Sequence, residues 1–115
     1  MVIKSCGMET QVRENMRGGS GSVELLHVVS KERLPQKGRL FSIITLEKGC
    51  GIGAHEHAEE TEIYYVLEGE GILDDNGTEK VLGKGDCNIC GGGDYHGIRN
   101  EKDTPLKFVA AIIID

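Results

Sequence analysis

The chain has 115 residues, a length that suits one domain. Acidic residues outnumber basic ones by 19 to 13 for a formal net charge of −6, which argues against nucleic acid and anionic membrane surfaces as partners. No stretch approaches the roughly 20 apolar residues of a membrane span, and the N-terminus carries no secretion signal, so we expect a cytoplasmic protein.

The first 22 residues are polar, and we expect an N-terminal segment over residues 1–22 followed by one folded domain over residues 23–115. At most a short turn is expected around residues 8–16. The segment ends in Arg17-Gly18-Gly19-Ser20-Gly21. A single Arg-Gly-Gly is weak evidence for RNA binding, and the composition favours a flexible loop that leads into the first strand.

From residue 23 onward, turn signals recur about every eight to ten residues, a spacing typical of an all-β sandwich or barrel. The predicted strands cover residues 23–30, 39–46, 62–68, 71–74, 78–82, 86–90, 95–99 and 106–114. Asn76-Gly77 predicts a two-residue hairpin, since both positions tolerate a positive φ. The last segment is apolar apart from Lys107, which predicts a strand buried on both faces, and its β-branched residues favour a strand over a helix.

Four cysteines are present, and in a reducing cytoplasm we expect free thiols. They are Cys6, Cys50, Cys87 and Cys90. The last two form a C-x-x-C, a spacing compatible with zinc binding or redox chemistry. No second such pair exists, and this one lies in a predicted strand rather than at a helix start. We therefore interpret Cys87 and Cys90 as buried or half-buried thiols.

Three histidines and one glutamate are the candidate metal ligands. His55 and His57 are two residues apart, so on a strand both imidazoles point to one side. Glu62 follows after a possible turn over residues 58–61, and His96 follows the Gly91-Gly92-Gly93 run, where the backbone can bend sharply. This mixed set of nitrogen and oxygen donors suits Mn, Fe, Ni, Co, Cu or Zn better than Ca or Mg.

These residues resemble the two conserved motifs of the cupin superfamily. The first motif, G-x5-H-x-H-x4-E-x6-G, is met at Gly49, His55, His57, Glu62 and Gly69. The second, G-x5-P-x-G-x2-H-x3-N, is met at Gly85, Gly93, His96 and Asn100, with Gly91 where the family usually has proline. The resemblance implies a jelly-roll, double-stranded β-helix barrel with one divalent metal ion. Because small cupins are commonly homodimers, it also implies a homodimer.

Other polar residues are less favoured as ligands or catalytic residues. His27 has no partner in the motif and is expected to be structural. Glu59 and Glu60 compete with Glu62 as ligands, but they fall in the predicted turn and are expected to be solvated. Asp74 and Asp75 are expected at a solvated hairpin tip.

Strand alternation predicts which residues line the pocket. If Glu62 faces inward, so do Tyr64 and Val66, and if His96 faces inward, so do Ile98 and Asn100. Tyr64 is a candidate catalytic hydroxyl or a barrel-filling aromatic. Arg39 is a candidate for binding a carboxylate at the pocket mouth, or a surface charge.

Two functions and one non-functional alternative remain open at this point. The resemblance implies a metal-dependent enzyme such as a dioxygenase-like oxidoreductase, a decarboxylase or an isomerase, acting on a small organic acid or another small molecule. The absence of an evident general base favours a non-catalytic module that binds or senses a small molecule or sugar. The third possibility is a metal-free barrel in which the motif serves folding alone.

Overall fold

The computed structural model describes all 115 residues and contains ten β-strands and no α-helix. The strands are β1 (Glu9–Glu14), β2 (Ser22–His27), β3 (Gly38–Leu46), β4 (Gly51–Glu56), β5 (Glu60–Glu68), β6 (Glu70–Asp75), β7 (Thr78–Gly83), β8 (Cys87–Gly91), β9 (Tyr95–Arg99) and β10 (Leu106–Ile114). Short 3-10 turns lie at Ser5–Gly7, Met16–Gly18 and Lys31–Arg33. None of these helical segments has the length and apolar character needed to span a bilayer.

The strands form two antiparallel sheets. One has six strands in the order β1-β2-β3-β10-β5-β8, and the other has four in the order β4-β9-β6-β7. The non-sequential order brings the C-terminal strand to the middle of the larger sheet. The predicted all-β fold is confirmed, and the two-sheet arrangement is that of a jelly roll.

The core lies between the two sheets and is built by alternation along the strands. In β10 the buried residues are Leu106, Phe108, Ala110 and Ile112, whereas the residues between them are only half-buried. The prediction that β10 is buried on both faces is therefore wrong. Its outer side has no second layer within the chain, and Ile113 there is 48% exposed.

The N-terminal stretch contains a strand where at most a short turn was expected. β1 pairs with β2 from Glu9 opposite His27 to Glu14 opposite Ser22, so it extends the six-stranded sheet at one edge. All six of its residues are exposed. The strand was missed because a segment without a buried face shows no alternation of apolar and polar residues.

The hairpin between β6 and β7 is confirmed. Asn76 and Gly77 have φ values of 51° and 92°, and Asp75 pairs with Thr78 across the turn. The Gly77 N–H donates to Asp74 Oδ1 at 2.8 Å, and Asp75 contacts Lys80 Nζ at the same distance. These aspartates thus stabilise the hairpin tip, as expected.

All four cysteines are free thiols. Cys90 is buried, but Cys87 is exposed, so the expectation of buried or half-buried thiols is wrong for Cys87. Residues three apart on a strand face opposite sides, which separates the two members of the C-x-x-C. Burial raises the pKa of Cys90 to about 11, which keeps that thiol protonated at neutral pH.

Candidate metal centre

The four candidate ligands come from three strands and one adjoining turn. His55 lies in β4 directly opposite His96 in β9, and Glu62 lies in β5 of the facing sheet. His57 follows the end of β4, and its backbone is held by two hydrogen bonds: its N–H donates to Asp94 O, and its carbonyl accepts from Gly93 N, both at 3.0 Å. The glycine turn before β9 therefore positions His57 as well as His96.

The structure brings all four side chains together. Their ligand atoms lie within 4.8 Å of one another. Glu62 Oε1 is 2.9 Å from the Nε2 atoms of both His57 and His96, and 3.5 Å from His55 Nε2. Two ligand atoms bound at right angles to one transition-metal ion lie about 3 Å apart, since each is about 2.1 Å from the ion. The separations of Glu62 from His57 and His96 match this value, and the 4.8 Å limit lies slightly above the roughly 4.2 Å between two opposite ligands of one ion.

Each imidazole has an acceptor on its other side. His57 Nδ1 is 2.6 Å from Glu60 Oε2, His96 Nδ1 is 2.7 Å from Asn88 Oδ1, and His55 Nδ1 is 2.8 Å from Gly53 O. A neutral imidazole carries one ring proton, and these acceptors place it on Nδ1. The three Nε2 lone pairs then face each other and the Glu62 carboxylate.

That arrangement suits a cation. Without an ion, the inward nitrogen atoms can hydrogen-bond to the Glu62 carboxylate only as protonated donors, and protonating all three rings would place positive imidazoles with centroids 4.8–5.0 Å apart in a buried site. Burying several like charges together is costly. One divalent ion satisfies all four inward atoms, so the donor set fits a metal on the chemistry of the side chains themselves.

The electrostatics of the cluster differ between its histidines: hydrogen bonds with Glu62 and Glu60 raise the pKa of His57, whereas burial lowers that of His96. Burial alone would raise the pKa of the Glu62 carboxyl, but its contacts with His55, His57 and His96 outweigh burial and hold that pKa below its usual range. Glu62 is therefore an anion at neutral pH. The pKa of His96 is lowered, chiefly by burial, which favours the neutral imidazole that can serve as a ligand.

Glu60 has a different position from the solvated one expected. It begins β5, its side chain is only 17% exposed, and it accepts two hydrogen bonds from Arg39, at 2.9 and 2.8 Å, besides its contact with His57. The Arg39 hydrogen bond is the main cause that lowers the pKa of Glu60. Glu60 thus supports a ligand histidine, while Glu59 stays exposed in the turn.

Arg39 lines the cavity, but Glu60 holds its guanidinium. A register shift between β3 and β10 pairs Ile112 with Leu40 and Ile113 with Gly38, so Arg39 is the extra residue of a bulge. Bulges re-aim side chains, and this one allows both Arg39 and Leu40 to line the cavity. Arg39 therefore supports the site through Glu60.

Tyr64, the other candidate, is buried beside the cluster. Its ring stacks on His96 with centroids 4.5 Å apart and also packs against Phe108. Burial, followed by the charge of Glu62, raises its pKa well above the usual value. Its hydroxyl is therefore protonated at neutral pH.

The remaining predicted residues are structural. Val66 and Ile98 belong to the core. Asn100 is fully buried, and its amide donates to the carbonyls of Leu46 and Thr104, which ties the end of β9 to the neighbouring loop. His27 lies between Ser42 Oγ and Gln11 Oε1, at 2.9 and 3.0 Å, away from the ligand cluster.

A cavity of about 840 Å³ opens onto the cluster. Its inner wall contains His55, His57, Glu62 and Tyr64 with the aliphatic residues Leu25, Leu40, Ile44, Ile52 and Ile112. Its outer wall contains polar residues of β1 and of the turn that follows: Glu9, Gln11, Arg13, Glu14, Asn15 and Arg17. His96 is fully buried and is not among the residues that line the cavity.

The family described as "Cupin domain" matches residues 42–112. The chain belongs to the cupin family. An "Oxalate-binding protein" from Thermotoga maritima is 42% identical over 114 residues, which cover 99% of this chain and 94% of that protein.

Two solved structures agree with the fold. A crystal structure from Thermotoga maritima, described as a predicted oxalate decarboxylase, is 42% identical with a TM-score of 0.93 and covers the whole of both chains. The polyketide cyclase RemF from Streptomyces resistomycificus is 15% identical with a TM-score of 0.79, covers 100% of this chain and 80% of its own, and shows the fold alone.

The departure from the cupin motif at Gly91 has a local explanation. Gly91 pairs with Thr61 of β5, and a Cβ at this position would overlap the Thr61 hydroxyl. The threonine side chain therefore occupies the space beside the turn. The histidine contacts of this turn remain intact without the proline.

Two supporting residues were missed in the sequence. Asn88 accepts from His96, and Glu60 accepts from His57. Strand alternation could have identified Asn88, because Asn88 and Cys90 share the inward face of β8. A polar side chain on a buried face needs a hydrogen-bond partner. Glu60 was missed because β5 begins two residues earlier than predicted.

Proposed function

We propose that this cupin holds one divalent transition-metal ion through His55, His57, Glu62 and His96 and uses it to bind a small organic acid. The observation that carries the proposal is the cluster of three inward Nε2 atoms and one carboxylate, each imidazole with an acceptor on its far side. The ion would supply a Lewis-acid site for a carboxylate oxygen. The relative named for oxalate binding supports this class of ligand.

The cavity wall favours binding over catalysis. Next to the ligands the wall is aliphatic apart from Tyr64, and the nearest additional carboxylate, Glu60, is held by Arg39 and His57. A general base must reach the proton it removes, and the unpaired carboxylates and lysine that line the cavity, Glu9, Glu32 and Lys31, are all exposed residues. Metal-dependent decarboxylation, oxidation or isomerisation remains the alternative, with Tyr64 as its candidate hydroxyl.

Metal content and acid binding test the proposal directly. Protein purified without added metal should take up one Mn²⁺ or Co²⁺ per chain in calorimetry, and oxalate should raise the melting temperature only after metal loading. His55→Ala and His96→Ala should lose the ion. His27→Gln is the matched control, because His27 lines the same cavity outside the ligand set.

The outcomes separate the alternatives. Equal metal content in His55→Ala and wild-type protein would remove the proposed centre and favour the metal-free barrel. Release of formate and carbon dioxide from oxalate by the loaded wild type, and not by His96→Ala, would replace binding with decarboxylation. A loaded protein that ignores acids but binds sugars would support the sugar-sensing alternative.

We also propose that the protein is a cytoplasmic homodimer formed through the outer face of the six-stranded sheet. Two apolar rows cross this face from strand to strand: Ile89, Ile63, Ala111 and Phe41, then Tyr65, Val109, Ile43 and Leu26. Ile89 is 66% exposed. A contiguous apolar surface across a sheet is typical of a contact face, and a twofold axis lets the same face pair with itself.

Light scattering tests the assembly. A homodimer has about twice the 12.5 kDa mass of the chain. Ile89→Lys should yield monomers, whereas Val81→Lys, an equally exposed apolar position in β7 of the other sheet, should not. A monomeric wild type would contradict this proposal and leave the metal centre unaffected.

A further inference from the structure

The turn that follows β1 has an unusual backbone. Arg17 has φ 54° and ψ 30°, and Asn15, two residues earlier, has φ 50°. Both values lie in the left-handed region, which non-glycine residues adopt uncommonly and at a cost. Two such residues within one short turn indicate that surrounding contacts hold this conformation.

Those contacts come from β4 and from the turn itself. A Cβ at Gly53 would overlap the carbonyl oxygen of Arg17, so only glycine allows this close approach. The Asn15 side chain donates to Gly19 O at 3.1 Å, and Gly51 N donates to Ser20 O at 2.8 Å. The backbone of Arg17 is therefore fixed against the strand that carries His55.

Arg17 is the one arginine of the chain without a protein partner. Arg39 and Arg99 form ion pairs, Arg13 contacts Gln11, and Arg33 contacts the sulfur of Met1. Arg17 makes no side-chain hydrogen bond or ion pair and lines the cavity that contains His55, His57 and Glu62.

With a divalent ion bound, the cavity would hold two separated positive charges. The ion and Glu62 together would leave a net positive charge at the inner end, and Arg17 supplies an unpaired guanidinium at the outer wall, which also contains Glu9 and Glu14. Leu25, Ile44 and Ile52 line the same cavity. A ligand with two carboxylates and little else between them matches this distribution of charge better than an acid with one carboxylate.

We propose that Arg17, held by the left-handed turn against Gly53, binds the second carboxylate of a short dicarboxylate whose first carboxylate occupies the metal centre. The proposal rests on the proposed function and goes beyond it by assigning the preference for dianions to one residue. Arg17 would be a specificity-determining residue that leaves metal binding itself unchanged.

Calorimetry with Co²⁺-loaded protein tests this assignment. Oxalate, malonate, succinate and acetate are titrated into wild type, Arg17→Gln, Arg17→Lys and Arg13→Gln. Loss of one charge-assisted contact predicts about ten- to hundredfold weaker binding of the preferred dicarboxylate to Arg17→Gln, with acetate affinity unchanged within about twofold. Arg17→Lys should retain part of the preference, and the Co²⁺ content should equal that of wild type.

Arg13→Gln distinguishes a direct contact between Arg17 and the ligand from a general effect of positive charge in the cavity, because Arg13 lines the same cavity from β1. Equal losses in Arg13→Gln and Arg17→Gln, or none in Arg17→Gln, overturn the assignment while the proposed function stands. A loaded wild type that binds none of the four acids overturns both. Arg17 is exposed, so its replacement leaves the fold intact, and an unchanged melting temperature verifies this.

Discussion

The two ends of the cavity are built in opposite ways. At the inner end each metal-ligand candidate is almost fully buried, and each imidazole contacts a second acceptor besides the cluster. At the outer end, β1 and the turn after it come from the edge of the sheet and expose every residue of the strand. The first region is fixed inside the packed sheets, whereas the second is held at the surface by pairing with β2 and by contacts of the turn with β4.

This difference indicates that the two ends of the cavity have different functions. A metal site needs ligand atoms held to within fractions of an ångström, and the middle of two packed sheets provides that rigidity. Selection among small acids needs only a charge at a suitable distance, which an edge strand and a turn can supply. Changes at the inner end should therefore alter metal affinity, and changes at the outer end should alter ligand preference alone.

Phe108→Ala is expected to have the largest effect on stability. Phe108 is fully buried and packs against Tyr64, which in turn stacks on His96. Removing a buried ring costs about 3–5 kcal/mol in the free energy of unfolding, and the space under Tyr64 should also weaken metal binding. Denaturant unfolding measures the first effect and calorimetry the second.

Phe41→Ala is the matched control, since Phe41 is the other phenylalanine and lies on the outer face of β3, 39% exposed. Its loss should weaken association of the proposed dimer and leave metal affinity unchanged. If both variants reduced metal affinity equally, the inner and outer faces of the sheet would not have separate roles in metal binding and association.

Glu60→Gln comes next. Glu60 accepts from His57 Nδ1 and from Arg39, so the carboxylate fixes the tautomer in which His57 Nε2 is free for a metal. Loss of such a supporting contact typically lowers metal affinity about 10- to 100-fold. Competition with a coloured chelator measures the change.

Glu59→Gln provides the comparison for Glu60→Gln, because Glu59 is adjacent, exposed and outside the contact network. Its metal affinity should match that of wild type. Arg39→Gln should reproduce part of the Glu60→Gln effect, since Arg39 orients Glu60 and does not contact His57. If Glu60→Gln left the metal affinity unchanged, the Glu60–Arg39 pair would not support the metal centre.

The inner end was also the more predictable of the two from sequence. The spacing of His55, His57 and Glu62 follows from strand alternation and one turn, both local properties of the chain. Recognition of His96 depended on resemblance, since nothing local connects it to residue 55. β1 and the Arg17 turn were missed because their conformations depend on pairing with β2 and on contact with Gly53, which no local pattern records.

Tyr64→Phe tests whether the buried hydroxyl acts on the ligand. The ring stack on His96 is retained in phenylalanine, so metal affinity should stay within about threefold of wild type. If the hydroxyl donates to a bound acid, acid affinity should fall by about 0.5–1.5 kcal/mol, the usual net value of one hydrogen bond. Unchanged acid affinity would make Tyr64 a packing residue only.

Gln11→Ala should have the smallest effect and sets the baseline for the outer end. Gln11 belongs to β1, is exposed, and contacts His27 Nε2 at 3.0 Å. Because water can replace that contact at an exposed edge, the free energy of unfolding should change by no more than about 0.5 kcal/mol, and the metal content should stay the same. A large loss of metal would show that the edge strand helps to hold the ligand histidines. That result would contradict the separation of the cavity into an inner end that binds the metal and an outer end that selects the ligand.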